Sequence, residues 1–134
     1  MANGTMTTLE WQETTWDGQP AADVPAPKLT VAVDTVSIEG DIQGKGTERW
    51  LMTYAEDGTA RFVGMTMVEG TVAGRSGSFL LRHEGRFDGQ GLHTDFTVVP
   101  GSATGELAAL SGSGTIDYTG PDAPTRYTFE PTLG

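Results

Sequence analysis

Gly-centred reversals recur along this chain, and between them lie strand-length runs rich in Val, Thr, Phe, Tyr and Trp. No long segment sustains a helical period, so the chain reads as all-β. The runs fall at about Thr5–Thr15, Lys28–Ile42, Gly46–Ala55, Ala60–Val72, Arg75–Phe87, Gly91–Val99, Gly114–Tyr118 and Arg126–Pro131, with ends placed to within roughly 2–4 residues. Eight antiparallel strands of this kind suffice to close a β-barrel.

A length of 134 residues fits one domain with a real core, here the whole of 1–134. Within it, residues 1–4 are expected to be flexible. The Pro-rich segment 17–27 is expected to cross a barrel mouth, and 100–113 to be a barrel-closing loop with one short helical turn at Glu106–Leu110. The GSATG stretch in that loop lacks the strand, helix and lysine of a phosphate cradle and reads as a turn.

The chain has no cysteine and two histidines. That leaves no disulfide framework, no thiolate chemistry and too few ligands for the usual zinc sites, so no metal or cofactor is expected. No apolar run approaches the roughly 20 residues that span a bilayer, and the start lacks a basic, then apolar, leader. A soluble cytoplasmic protein is therefore expected. A net charge of -10 repels phosphate backbones and anionic lipid, which disfavours nucleic acid and membrane and favours an apolar small-molecule partner.

Four two-residue turns set the registers: Gln43-Gly44, Asp57-Gly58, Ala73-Gly74 and Asp88-Gly89. They place Val36, Ile38, Leu51, Phe62, Val68, Phe79, Leu81, Leu92, Phe96 and Val98 on one inner face. His83 joins them, opposite Thr94 and beside Gly64, whose missing side chain leaves room before the imidazole. Asp34, Arg49, Thr53 and Thr66 are the other inner polar residues. Arg82 would face Asp95, and Glu84 would face His93, on the wet side. Trp50, Met52, Tyr54, Val63, Met65, Met67 and Leu80 then fall outside, too apolar for free water, so a homodimer or higher homo-oligomer is expected to cover them.

His83 is the first candidate for acid–base work, because imidazole exchanges protons near neutral pH. The alternative is a core histidine bonded to Thr94 or a backbone carbonyl. Arg49 can hold a carboxylate or enolate, or simply pair with Asp34. Asp34 can act as a base if its surroundings raise its pKa, and pairing with Arg49 would make it an orienting group. Thr53, Thr66 and Thr94 can bind a carbonyl, while Leu51, Phe62, Phe79, Leu81 and Phe96 can shape an apolar substrate or merely pack. Glu39 and Glu48 would lie opposite one another on the wet face as a solvated pair. Trp11 and Trp16 line an entrance or pack at the edge of the core.

The stretches GDIQGKG, DGTARFVG, GRSGSFLLRHEG and VVPGSATGEL resemble the DUF3224 family, and the resemblance runs from Lys28 to Gly114. It implies a closed eight-stranded antiparallel barrel of allene oxide cyclase-like type. By analogy of fold it also implies a cofactor-independent cyclase or isomerase acting on a small, largely apolar metabolite, such as a natural-product intermediate. The family pattern commonly carries an acidic residue at the Arg49 position and Glu or Gln at the Thr66 position, so the resemblance implies a rewired cavity here. Two other readings are a non-catalytic barrel carrying a lipophilic molecule and a packed barrel that works through its Met-rich outer face.

Overall fold

The strands are β1 (Ala2–Thr15), β2 (Lys28–Gly40), β3 (Ile42–Tyr54), β4 (Ala60–Val72), β5 (Arg75–Phe87), β6 (Leu92–Val98), β7 (Ser111–Tyr118) and β8 (Thr125–Thr132). The structure, a computed structural model, describes residues 2–120 and 122–134. Each strand pairs antiparallel with the next, and β8 pairs with β1 from Ala2↔Phe129 to Met6↔Thr125. The sheet is therefore a closed barrel, which leaves no unpaired edge to recruit another chain. Of residues 1–4, expected to be flexible, Ala2–Gly4 are paired in this ladder and Met1 lies outside the described residues.

Period-two burial fills one half of the barrel. On β2 the buried residues are Thr30, Ala32, Asp34, Val36 and Ile38. Around the end where Ile38, Ile42, Val68, Val72 and Phe79 meet, Leu107 and Leu110 of the 100–113 segment join the core and stop the barrel. This segment carries a 3-10 turn at Gly105–Leu107 in place of the expected turn at Glu106–Leu110. Thr104 ties it to β5, its backbone N–H donating to the Ser78 carbonyl at 2.8 Å. At the opposite end, segment 17–27 is pinned by the Lys28 ammonium, which donates to the carbonyls of Ala21 and Val24 at 2.7 and 3.0 Å.

Three of the four expected turns differ in register, by five residues between β2 and β3, one between β3 and β4 and two between β5 and β6, and the two odd differences cancel in parity. Between β2 and β3 the chain reverses around Gly40 and Asp41, and Gly44 lies inside the ladder opposite Ile38. Gly40 has φ of 105°, a conformation that costs little only without a Cβ. Between β3 and β4 the connection is Ala55–Thr59, in which the Asp57 carboxylate accepts from Thr59 N–H at 3.0 Å and Thr59 hydroxyl at 2.7 Å. Because side chains alternate, each odd shift swaps faces: β3 inverts, and β4 returns to its expected orientation. Glu48, Trp50, Met52 and Tyr54 point inward, while Arg49, Leu51 and Thr53, expected inside, are exposed on the outer face.

The Ala73-Gly74 turn is as expected, with Val72 opposite Arg75. Between β5 and β6, Phe87 pairs with Leu92 across Asp88–Gly91, a shift of two that preserves faces and changes partners. His83 therefore lies opposite Phe96, and Thr94 lies opposite Gly85. Likewise Glu84 meets Asp95, and Arg82 meets Thr97. A bulge between Thr8 and Glu10 on β1 changes which residues face in, so that Met6 pairs with Ile38 but Trp11 pairs with Asp34.

With Trp50, Met52 and Tyr54 inside, the exposed apolar residues of the outer β3–β4 face are Leu51, Val63, Met65 and Met67. The Gly40 reversal is directly testable. A Cβ there would lie 2.5 Å from the Asn3 carbonyl oxygen, so Gly40→Ala is expected to lower stability by about 2 kcal/mol or more in urea unfolding. A neutral outcome would argue against this register.

Candidate functional site

The half of the barrel away from Leu107 and Leu110 is hollow. A cavity of about 500 Å³ is lined by Met6, Thr8, Trp11, Asp34, Val36, Glu48, Trp50, Met52, Phe62, Leu92, Thr94, Ile116, Tyr118 and Thr125. Leu92, Tyr118 and Thr125 stand at strand ends, and Trp11 is 46% exposed, which puts the mouth at the end bearing the Asp88–Gly91 connection. Among the described residues of segment 17–27, none lines the cavity.

Asp34 and Glu48 are cross-strand neighbours on β2 and β3, and they are the charged residues of the cavity wall. Both are buried, at 4% and 5% exposure. The indole of Trp50 donates to the Asp34 carboxylate at 3.1 Å. Burial, then the hydrogen bond and charge of Asp34, push the Glu48 carboxyl up to about 8. Asp34 is also raised by burial, against lowering hydrogen bonds from Glu48 and Trp50. At neutral pH the Glu48 carboxyl therefore keeps its proton, and Asp34 is the partner that accepts hydrogen bonds from Glu48 and Trp50.

Glu48 continues into a buried relay. The Thr66 hydroxyl donates to Glu48 Oε2, and its oxygen is 2.7 Å from His83 Nε2. With its single proton directed to Glu48, Thr66 can only accept from His83, which assigns the proton to Nε2. Nδ1 is then a bare lone pair, buried without a partner among the described residues. Burial pushes the imidazole down to about 4, so His83 is neutral at pH 7. The space in front of it, expected from Gly64, is filled by Trp50, whose ring centroid is 4.8 Å from that of His83. A Cβ on Gly64 would lie 2.5 Å from the Trp50 ring, so this glycine makes the packing possible.

The expected site residues divide into three groups. Asp34, Phe62 and Thr94 line the cavity. His83, Thr66, Phe79, Leu81 and Phe96 are buried behind or below it, and His83 reaches the wall only through Thr66 and Glu48. Arg49, Leu51 and Thr53 stand outside, and the Arg49 guanidinium donates to the Glu48 backbone carbonyl at 2.9 Å. Glu48 and Trp50 were not among the expected site residues, and Glu48 does not face Glu39, which pairs with Thr5. The signal that placed them inside was already in β3: Trp50, Met52 and Tyr54 form a more apolar alternate set than Arg49, Leu51 and Thr53. Trp16 is 63% exposed, away from the cavity. Among the described residues, no group of three or more His, Asp or Glu is placed to hold a metal ion. No helix there is long and apolar enough to cross a membrane.

A family model described as a protein of unknown function (DUF3224) matches residues 2–130. A crystal structure of a protein of unknown function from the same family, from Shewanella oneidensis MR-1, is similar at 25% identity and a TM-score of 0.75. That likeness covers 98% of this chain and 95% of the other. No curated protein matches the chain.

Proposed function

The chain belongs to the DUF3224 family, and from its cavity we propose that it is a cofactor-independent isomerase or cyclase acting on a small, largely apolar, unsaturated or carbonyl-bearing molecule. One observation carries this reading: an apolar cavity has, in a single wall, two neighbouring carboxyl groups, of which Glu48 holds its proton at neutral pH and Asp34 accepts hydrogen bonds from Glu48 and Trp50. Such a pair can give and take a proton within one turnover. Glu48 donates its proton to a carbonyl oxygen while the Asp34 carboxylate removes one from a carbon alpha to it. Enol formation is thus balanced; Asp34 then returns its proton to a different carbon of the dienol while the enol O–H proton goes back to Glu48, which completes the isomerisation and restores both carboxyl groups. Trp50, Met52 and Phe62 would hold the reactive conformer. In this scheme His83 and Thr66 position the Glu48 carboxyl and do not touch substrate.

The test uses β-ionone and related enones in deuterated buffer, with exchange or double-bond migration followed by NMR. Wild type is expected to accelerate exchange, and Asp34→Asn or Glu48→Gln to reduce it by about 100-fold or more. Saturable quenching of tryptophan fluorescence without exchange would instead support a carrier barrel, the reading favoured by the mainly apolar lining.

A further inference from the structure

Every charged side chain in the cavity wall is acidic, and the rest of the wall is rich in aromatic rings. From this we infer that the barrel is built to hold a hydrophobic organic cation, a protonated or quaternary nitrogen on an apolar body, against Asp34 and the aromatic rings of Trp50, Trp11 and Phe62. The inference deepens the reading of this cavity as a ligand site and adds the charge of the occupant.

A buried negative charge is normally matched by a cation. Among the described residues, neither Asp34 nor Glu48 is in a salt bridge. The nearby Arg49 is on the outer face, its guanidinium turned to a backbone carbonyl, and it is the weakest of the influences on Asp34. Groups facing Glu48 from the other strands add no positive charge: Asp34 from β2, the Thr66 hydroxyl from β4 and, behind it, a neutral His83 from β5. On β1, Glu13 stands nearer the open end, beside Tyr54 and Thr30, whose hydroxyls both donate to it at 2.7 Å. Aromatic faces attract cations through the ring quadrupole, and more strongly where water is excluded. An enolate or carboxylate ligand would meet only like charge here.

The experiment compares benzyltrimethylammonium, its neutral isostere neopentylbenzene and phenylacetate, by calorimetry on the full chain. The cation is expected to bind about 10-fold or more tightly than the isostere, and phenylacetate not to bind. Its affinity should rise several-fold from about pH 6 to about pH 9, as Glu48 gives up its proton near 8. Glu48→Gln should remove the rise, and Asp34→Asn the preference for charge, with neopentylbenzene binding unchanged as the control for folding. Equal binding of cation and isostere, tighter binding of phenylacetate, or no binding of any of the three by wild type would overturn the inference. The exchange of neutral enones is read separately, so either result can fail without the other.

Discussion

Glu48→Gln is expected to make the barrel more stable at pH 9 while abolishing its proposed chemistry. In the folded chain the Glu48 carboxyl titrates near 8, whereas in the unfolded chain it has its ordinary value of 4.5. An acid whose folded pKa is raised contributes its full stability below the unfolded value. That contribution is lost as pH rises from about 4.5 to about 8, because the unfolded state releases the proton first. At 1.36 kcal/mol per unit, the loss is on the order of 3–5 kcal/mol across the window, with part of it shared with Asp34. Glutamine keeps the shape, accepts from Thr66 and donates to Asp34, yet cannot ionise. Urea unfolding should show wild type and variant within about 1 kcal/mol at pH 5, diverging steadily from there to about pH 8 with the variant higher. His83 acts in the opposite sense: its folded pKa is lowered from 6.5 to about 4, so its contribution is present above 6.5 and lost as pH falls toward 4. Between about 4.5 and 6.5 the two slopes oppose each other, and wild-type stability should be nearly level there. Parallel wild-type and Glu48→Gln curves across pH would show that Glu48 is ionised in the fold and would remove the basis for its role as an acid.

The second large effect distinguishes two adjacent residues. Trp50→Ala is expected to cost about 3–5 kcal/mol, whereas Leu51→Ala is expected to cost about 0.5 kcal/mol or less. Trp50 is 8% exposed and packs edge-on against Phe62 at 5.3 Å between centroids. Removing its ring empties the space over Gly64 and takes away the donor that the buried Asp34 carboxylate relies on. Leu51 is 46% exposed and leaves little behind when truncated. Trp50→Phe separates packing from hydrogen bonding: it keeps most of the apolar contact but leaves Asp34 short of a partner, for about 1–3 kcal/mol. Unfolding midpoints of the three variants measure the orientation of β3. Should Leu51→Ala be the costly change, β3 would face the other way and the carboxyl pair would not exist.

That orientation also shows how far local chemistry reaches. Alternation of apolar residues and the glycine-centred reversals are properties of neighbouring residues, and they were enough to locate eight strands, a number that can close a barrel; the closed barrel was what the family resemblance implied. The Ala73-Gly74 turn forms at the expected place, with φ of 52° and 78°, although a left-handed conformation suits Gly74 and not Ala73, and with it the faces of β4 and β5 were legible, His83 inward included. Gln43-Gly44 and Asp57-Gly58 carry equally local signals, but β3 is paired along its whole length on both sides. Burying Trp50, Met52 and Tyr54, with Gly40 able to take the reversal, outweighs the turn preferences of two dipeptides.

By itself, then, the sequence determined the all-β class, the eight strands and the inward position of Asp34 and His83, because these depend on periodicity and turn residues close in the chain. Tertiary structure alone decided that Glu48 and not Arg49 faces Asp34, that Trp50 fills the space before His83, and that one half of the barrel stays hollow. Those outcomes depend on the parity of two connections and on side chains packed across the barrel. A single residue in a loop can reverse a face, and only the pairing of the complete sheet sets which way it turns.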